Sequence, residues 1–334
     1  MVATVLAFLL APYLSDNEPA AAGGAEMTSA TARGGHGTAV LSRDDSRPVA
    51  TVERRGPTPV TEHDQPKKKQ PEPRPTTIGV VSLNQFYQLS TSQIAADARR
   101  ITALPTVDVV GWQEATNSHP VFAALARRGW QTSQLPRTSH ELAVSWRRSE
   151  FAFVSARFRL VAHGVDDVEG RYPFGNRYVQ RVTLRQRDTG RLLTVINTHL
   201  PQKIEDLDHP GHWLGTSNAA RARFQLARIA RAWREARGRW IVGTGDYNFD
   251  ARADAEVHPH GGPRAALGPL AVSSYGALGF GGLTPSHPPT GRYVDYVQAD
   301  RSDLHAGEMR FVGQRIIAGL NSDHNALLAR IRLD

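Results

Sequence analysis

Seven positions along this 334-residue chain place a carboxylate, an amide or an imidazole at the end of a strand-like run or inside one. They are Asn84, Glu114, His199, Asp246, Asn248, Asp295 and the pair Asp323-His324. Any one of them alone reads as a turn former, a helix cap or a satisfied core residue. Together they make an oxygen-rich set with two histidines, in a chain that has no cysteine and therefore no thiolate ligand. Oxygen donors of this kind suit a hard cation such as Mg²⁺ or Mn²⁺, and carboxylate beside imidazole suits proton transfer.

The elements that must position these residues are legible in part. Arg239-Trp240-Ile241-Val242 is a short apolar run that ends in Gly243-Thr244-Gly245-Asp246-Tyr247-Asn248-Phe249-Asp250. A buried strand that stops this way presents its polar side chains at the carboxyl edge of a sheet, a common place for ligands in α/β proteins. Ile78 to Asn84 and Val107 to Glu114 have the same form, an apolar strand closed by a polar residue. Between them Thr91 or Ser92 caps a helix with Ile94, Ala98 and Ile101 on one face. His119 to Arg128 reads as a short helix closed by Gly129, and Leu142 to Trp146 and Phe151 to Val161 read as strands. Asp188-Thr189-Gly190 between Tyr178 to Leu184 and Leu192 to Asn197 is a hairpin signature, and its second strand runs into Thr198-His199. Ser217 to Arg237 is the clearest helix, with Leu226, Ile229, Ala230 and Trp233 on one face. Gly261 to Pro289 is rich in Gly and Pro and reads as a long loop, and Arg292 to Val297, Met309 to Val312 and Ala326 to Leu333 close the chain as strands.

Composition divides the chain at about residue 76. Residues 1 to 76 carry nine Lys/Arg against nine Asp/Glu, whereas residues 77 to 334 carry 31 against 23, and 30 of those 31 cations are arginine. The excess of +8 therefore belongs to the C-terminal part, which either meets a polyanion or reflects arginine-rich codon usage. Val2 to Ala11 is apolar but too short to span a bilayer, and Glu18-Pro19-Ala20-Ala21-Ala22 supplies small residues for cleavage. Residues 1–22 read as a signal peptide or an apolar N-terminal segment, which implies a secreted or cell-surface protein with no integral membrane segment in the mature chain. Residues 23–76, with Lys67-Lys68-Lys69 and a Pro71 to Pro75 end, have too few large apolar side chains to offset the entropy of ordering and read as a disordered linker.

Leu83-Asn84, Gln113-Glu114, Asn197-Thr198-His199-Leu200, Gly245-Asp246-Tyr247-Asn248, Asp295-Tyr296-Val297 and Ser322-Asp323-His324 resemble, in order and spacing, the motifs of the endonuclease/exonuclease/phosphatase superfamily, the deoxyribonuclease I-like fold. The resemblance covers residues 77–334. It implies a four-layer α/β (α+β) sandwich of two mostly antiparallel sheets flanked by helices, and cleavage of phosphoester bonds with a divalent cation. By the same resemblance Glu114 is the main ligand of Mg²⁺ or Mn²⁺, with Asn84 beside it and Asp323 assisting. Asp246 would orient and deprotonate the attacking water, and Asn248 would hydrogen-bond the phosphate. His324 would contact the phosphate oxygens with its ring fixed by Asp295, and His199 would be the second histidine on the scissile group.

Some nucleases of this fold have arginine two residues beyond the metal glutamate, where this chain has Thr116. Arg171 and Arg177 offer themselves as substitute phosphate contacts, and Asp208-His209-Pro210-Gly211-His212-Trp213 reads as a rim of the cleft with two histidines for a second metal. The resulting expectation is a metal-dependent phosphodiesterase, a nuclease with nucleic acid as substrate, acting as a monomer with no stable protein partner. The alternatives are a lipid phosphodiesterase or a sugar or inositol phosphatase of the same superfamily, and a catalytically silent binding module.

Overall fold

A computed structural model describes residues 75–134, 141–164 and 175–334. The N-terminal apolar segment, the lysine run of the linker and Arg171 lie outside the described residues. The first strand, β1 (Thr76–Asn84), begins two residues ahead of Ile78. It is followed by α1 (Thr91–Thr102), β2 (Val109–Gln113), α2 (His119–Ala126), β3 (Trp130–Gln134), β4 (Ala143–Arg147) and β5 (Phe151–Ala162). The chain continues through β6 (Arg177–Gln186), β7 (Leu192–His199), α3 (Ser217–Arg234), β8 (Trp240–Asp246), α4 (Ala251–Val257) and α5 (Pro263–Leu267). It closes with β9 (Ala271–Ser273), α6 (Ser274–Leu278), β10 (Asp295–Asp300), α7 (Arg301–His305), β11 (Met309–Ile317) and β12 (Ala326–Leu333).

Two six-stranded sheets form, in the orders β11-β12-β1-β2-β4-β3 and β5-β6-β7-β8-β10-β9. All pairings are antiparallel except β1 with β2 and β7 with β8. Alternation along β1 shows how the layers are built. Ile78 and Val80 join Val182, Val195 and Val242 of the second sheet in one core, while Val81 and Leu83 join Ile94, Ala98, Ile101 and Phe122 of α1 and α2 in another. Strand side chains alternate between faces, so one apolar strand can feed both cores. The outer face of the second sheet is covered by α3, whose Leu226, Ile229 and Trp233 are buried. The result is the expected four-layer sandwich.

The sheets approach closely where they must carry the site. A β-carbon on Gly111 of β2 would stand 2.0 Å from Thr244 Oγ1 of β8, so only glycine fits there. Asn197 of β7 fills the adjoining space. Its amide donates to the Trp112 and Ala143 carbonyls at 2.9 and 3.0 Å, and its Oδ1 accepts from Gln113 at 2.7 Å and Thr244 at 3.0 Å.

Two local expectations are corrected and one strand is added. Ser90, not Thr91 or Ser92, caps α1, because Gln93 closes a reciprocal capping box with it. The segment from Gly261 to Pro289 is not a long loop: Pro263 starts α5, and Ser273 ends β9 and caps α6 through the Gly276 N–H. Strand β3, with its polar Gln131, Thr132 and Ser133, escaped the apolar pattern because it is an edge strand with a single neighbour. Among the described residues no helix is long and apolar enough to cross a membrane.

Candidate active site

Register brings the sequence motifs to one rim. In the second sheet His199 pairs with Asp246 across the parallel β7–β8 ladder, and Asp246 pairs with Asp295 across the antiparallel β8–β10 ladder. Three side chains from the ends of three strands therefore form a row. In the first sheet Asn84 ends β1 opposite Gln113, the last residue of β2, and Glu114 follows. Strand β12 runs antiparallel to β1, which puts the turn preceding it, with Ser322, Asp323 and His324, at the same end.

Asn84 links the sheets. Its Nδ2 donates to Asp246 Oδ2 at 2.9 Å and to Glu114 Oε1 at 3.2 Å. Glu114 also accepts the Tyr87 N–H on Oε2 at 2.9 Å, and its side chain is about one-fifth exposed. Asp246 is buried and accepts the Asn248 N–H on Oδ1 at 2.8 Å. Its Oδ2 lies 3.4 Å from His199 Nε2 and 3.8 Å from His324 Nε2. Asn248 Nδ2 donates to the Leu200 carbonyl at 3.0 Å and lies 3.3 Å from His199 Nε2. Glu114 and Asn248 both adopt left-handed backbone, with φ of 53° and 47°. Asparagine tolerates that region, but for glutamate it costs about 1–3 kcal/mol, strain of the kind that gathers at functional sites.

Each histidine is held by a carboxylate on Nδ1, which turns Nε2 toward Asp246. Asp295 Oδ2 lies 2.8 Å from His324 Nδ1, and Glu141 Oε1 lies 2.5 Å from His199 Nδ1. Burial alone would push the His324 pKa down, but Asp295, then Asp246 and Asp323, outweigh it and lift it to about 10. His199 is also raised: burial and Arg177 push it down, and Glu141 with Asp246 prevail. Asp246 is lowered, since His324, His199, Asn84 and Asn248 overcome the effect of its burial. Nε2 of both histidines thus faces one carboxylate.

The structure brings Asn84, Glu114, His199, Asp246, Asn248, Asp295 and His324 into one contact network. Asp323 Oδ2 lies 3.8 Å from His287 Nε2. Arg177 opens β6 and forms an ion pair with Glu141, so its guanidinium is engaged on a buried carboxylate. Thr116 is exposed in the turn after Glu114. In the rim segment His209 Nδ1 lies 3.1 Å from Asp206 Oδ2, and the rings of His209 and His212 are 6.4 Å apart. Among the described residues, the group of three His or Asp side chains with ligand atoms within 4.8 Å of one another is His287, Asp323 and His324, and it does not include that segment.

Sequence reasoning missed Glu141 and Asp97. Glu141 precedes a strand, where a lone carboxylate gives no local signal, and its partners come from β6 and β7. Asp97 lies on the buried side of α1 and accepts the Asn321 N–H at 2.9 Å, the Asn321 side-chain amide at 2.7 Å and the Ser322 N–H at 3.1 Å. Ser322 in turn donates to the Asn84 carbonyl at 2.7 Å and accepts the His324 N–H at 3.0 Å. A polar residue within the i, i+4 row of Ile94, Ala98 and Ile101 was the available signal.

Neither a scan against protein-family models nor a comparison with curated proteins gives a match. Solved structures do. Zebrafish (D. rerio) TDP2 in complex with a single-strand DNA product superposes with a TM-score of 0.57 at 14% identity, over 77% of this chain and 99% of that one. An endonuclease/exonuclease/phosphatase from Bacteroides vulgatus gives 0.56 at 16% identity, over 78% and 100%. The human Nocturnin catalytic domain gives 0.53 at 15% identity, over 78% and 98%. The fold is that of the endonuclease/exonuclease/phosphatase superfamily. Within this fold the row His199, Asp246, Asp295 and the Asn84–Glu114 pair lie at the strand ends, all buried except the partly exposed Glu114.

The donor set around Glu114 is one of oxygen atoms. Glu114, the partly exposed member, offers a carboxylate whose two oxygens each meet one N–H, leaving lone pairs on both. The Asp246 carboxylate adds oxygen atoms nearby, Asn84 turns its Nδ2 toward both carboxylates and its Oδ1 onto the Phe86 N–H at 2.9 Å, and no thiolate competes. These residues fit Mg²⁺ or Mn²⁺, which bind through one or two carboxylates and keep much of their water.

Proposed function

We propose that the protein is a divalent-metal-dependent phosphodiesterase, a nuclease that hydrolyses nucleic-acid phosphodiester bonds by attack of an activated water. The observation that carries this reading is the convergence of His199 Nε2 and His324 Nε2 on Asp246 Oδ2, at 3.4 and 3.8 Å, beside the Asn84–Glu114 pair. A scissile phosphate placed there meets cations on two sides and an ionised carboxylate that can take a proton from water.

Glu114 and Asn84 would hold Mg²⁺ or Mn²⁺, with Asp323 assisting from the neighbouring turn. The metal, when bound, supplies Lewis acidity at a phosphate oxygen. Asp246 orients the attacking water and accepts its proton as the new P–O bond forms. His324, kept protonated by Asp295, donates to the phosphate oxygens on which negative charge grows, and Asn248 donates from its amide. His199, kept protonated by Glu141 and Asp246, gives a proton to the departing oxygen as the old P–O bond breaks. Every one of these groups is fixed before substrate arrives, which is where electrostatic catalysis gains most.

Two further features support a polyanionic substrate: the net positive charge lies wholly in residues 77–334, and a structural relative was solved with a DNA product. The test is incubation of the purified protein with plasmid, with sphingomyelin and with a generic phosphate bis-ester, each with Mg²⁺ and with chelator. Chelator-sensitive cleavage of plasmid is the expected result. Cleavage of sphingomyelin alone would point to the lipid alternative, and cleavage indifferent to chelator would refute the metal assignment.

A further inference from the structure

The geometry points to a second metal site, built from His287, Asp323 and His324, that takes a divalent transition-metal ion of the Zn²⁺ class and thereby occupies the catalytic histidine. The ligand atoms of these three residues lie within 4.8 Å of one another, and His287 Nε2 is 3.8 Å from Asp323 Oδ2. The two imidazole rings lie 4.6 Å apart between centroids, inclined by 50°.

Both rings are held on the nitrogen that faces away. His324 Nδ1 is on Asp295 Oδ2 at 2.8 Å, and His287 Nδ1 is on Thr290 Oγ1 at 2.6 Å. Thr290 Oγ1 also accepts from Arg292 Nε at 3.0 Å, and its two lone pairs can serve both donors. A histidine whose Nδ1–H is anchored to a carboxylate or hydroxyl presents Nε2 as a fixed, basic ligand, the outer-shell arrangement that ligating histidines almost always show. Two imidazoles and one carboxylate with an open fourth position suit Zn²⁺ and its neighbours, whereas the oxygen set led by Glu114, with which this site shares Asp323, suits Mg²⁺. The two sites therefore discriminate by ligand softness. Binding displaces the proton on His324 Nε2 to solvent and puts a metal on the atom that faces Asp246.

The binding claim stands on these residues alone, while its consequence, inhibition, rests on the reading of His324 as the phosphate contact. The experiment separates them. Zn²⁺ is titrated calorimetrically into the metal-stripped full-length protein and into His287→Ala, Thr290→Val and His209→Ala, each checked for an unchanged melting curve. In parallel, Mg²⁺-supported hydrolysis of the phosphate bis-ester is followed as Zn²⁺ is added. The expected result is one tight Zn²⁺ that His287→Ala weakens by at least about tenfold and Thr290→Val by about tenfold, in line with the loss typical of outer-shell partners, while His209→Ala keeps it. Zn²⁺ inhibition should weaken in the same two variants. Undiminished Zn²⁺ binding by both His287→Ala and Thr290→Val would overturn the site. An inactive protein that shows the expected binding series would instead count against the phosphodiesterase reading and leave the metal site standing.

Discussion

Glu141 places a carboxylate oxygen 2.5 Å from Nδ1 of His199, and the same oxygen takes the Arg177 guanidinium. Burial alone would raise the carboxyl, but Arg177 and His199 outweigh it and hold it down at about 2, so the glutamate is charged at any physiological pH. Replacing it with Gln leaves two buried cationic groups without their counter-charge. Glu141→Gln should destabilise the protein by about 3–5 kcal/mol, the usual loss when one partner of a buried pair is removed. It should also move the basic limb of the pH–rate profile to lower pH, because His199 then gives up its proton sooner. Denaturant unfolding and kinetics from pH 5 to 10 check both, and an unmoved limb would separate Glu141 from the chemistry.

Asp246→Ala and His324→Ala should each lower phosphodiester hydrolysis by about 10²–10⁴-fold, the range contributed by a positioned acid or base. Far-ultraviolet circular dichroism should stay that of the parent, since the row at the strand ends lies outside both apolar cores. Unchanged turnover in either folded variant would refute the proposed roles.

Asp97 touches neither phosphate nor metal in the proposed mechanism, yet it ties α1 to the turn that carries His324. Asp97→Ala removes the acceptor of two backbone N–H groups and should cost about 1–3 kcal/mol. By loosening the turn it should lower kcat by roughly 10- to 100-fold, as small misplacements of a catalytic group do. Asp97→Asn, which keeps one oxygen, should recover part of both losses. A kcat unaffected in the alanine variant would show that Ser322 alone holds the turn.

Stability should depend on pH in a defined direction. His324 is raised from 6.5 to about 10, so the stability it adds is complete below pH 6.5 and is lost as pH rises through 10. Glu141 is lowered from 4.5 to about 2, so its contribution is complete above pH 4.5 and is lost as pH falls through 2. Asp254 of α4 is raised from 3.8 to about 7 by burial, which outweighs its bond from the Arg264 N–H. Its raised value favours folding below pH 3.8, and that advantage is gone above pH 7, where a carboxylate must be buried charged. Asp254→Asn should therefore stabilise the protein by about 2–4 kcal/mol at pH 8 and hardly at all at pH 4. Denaturant midpoints at the two pH values decide this.

Much of the protein was determined by the sequence itself. Apolar runs closed by polar residues marked the ends of β1, β2, β7 and β8, because a buried strand is mostly apolar and a buried polar side chain must find hydrogen-bond partners, which these find at the strand ends. The order of the motifs carried the fold for the same reason. The helix α3 was legible from its 3.6-residue period. What the chain could not disclose locally is anything that depends on two elements meeting. The span from Gly261 to Pro289 looked like loop since five-residue helices and a three-residue strand have too little periodicity to rise above Gly and Pro. Glu141, Asp97 and His287 looked ordinary because a carboxylate or imidazole acquires its meaning from partners tens to hundreds of residues away. Only strand register set His199, Asp246 and Asp295 in one row, and only the packing of the two sheets, close at Gly111 and stitched by Asn197, brought that row to Asn84 and Glu114. A hydrogen bond reaches about 3 Å, so a site made of such bonds exists only once tertiary structure has fixed the distances.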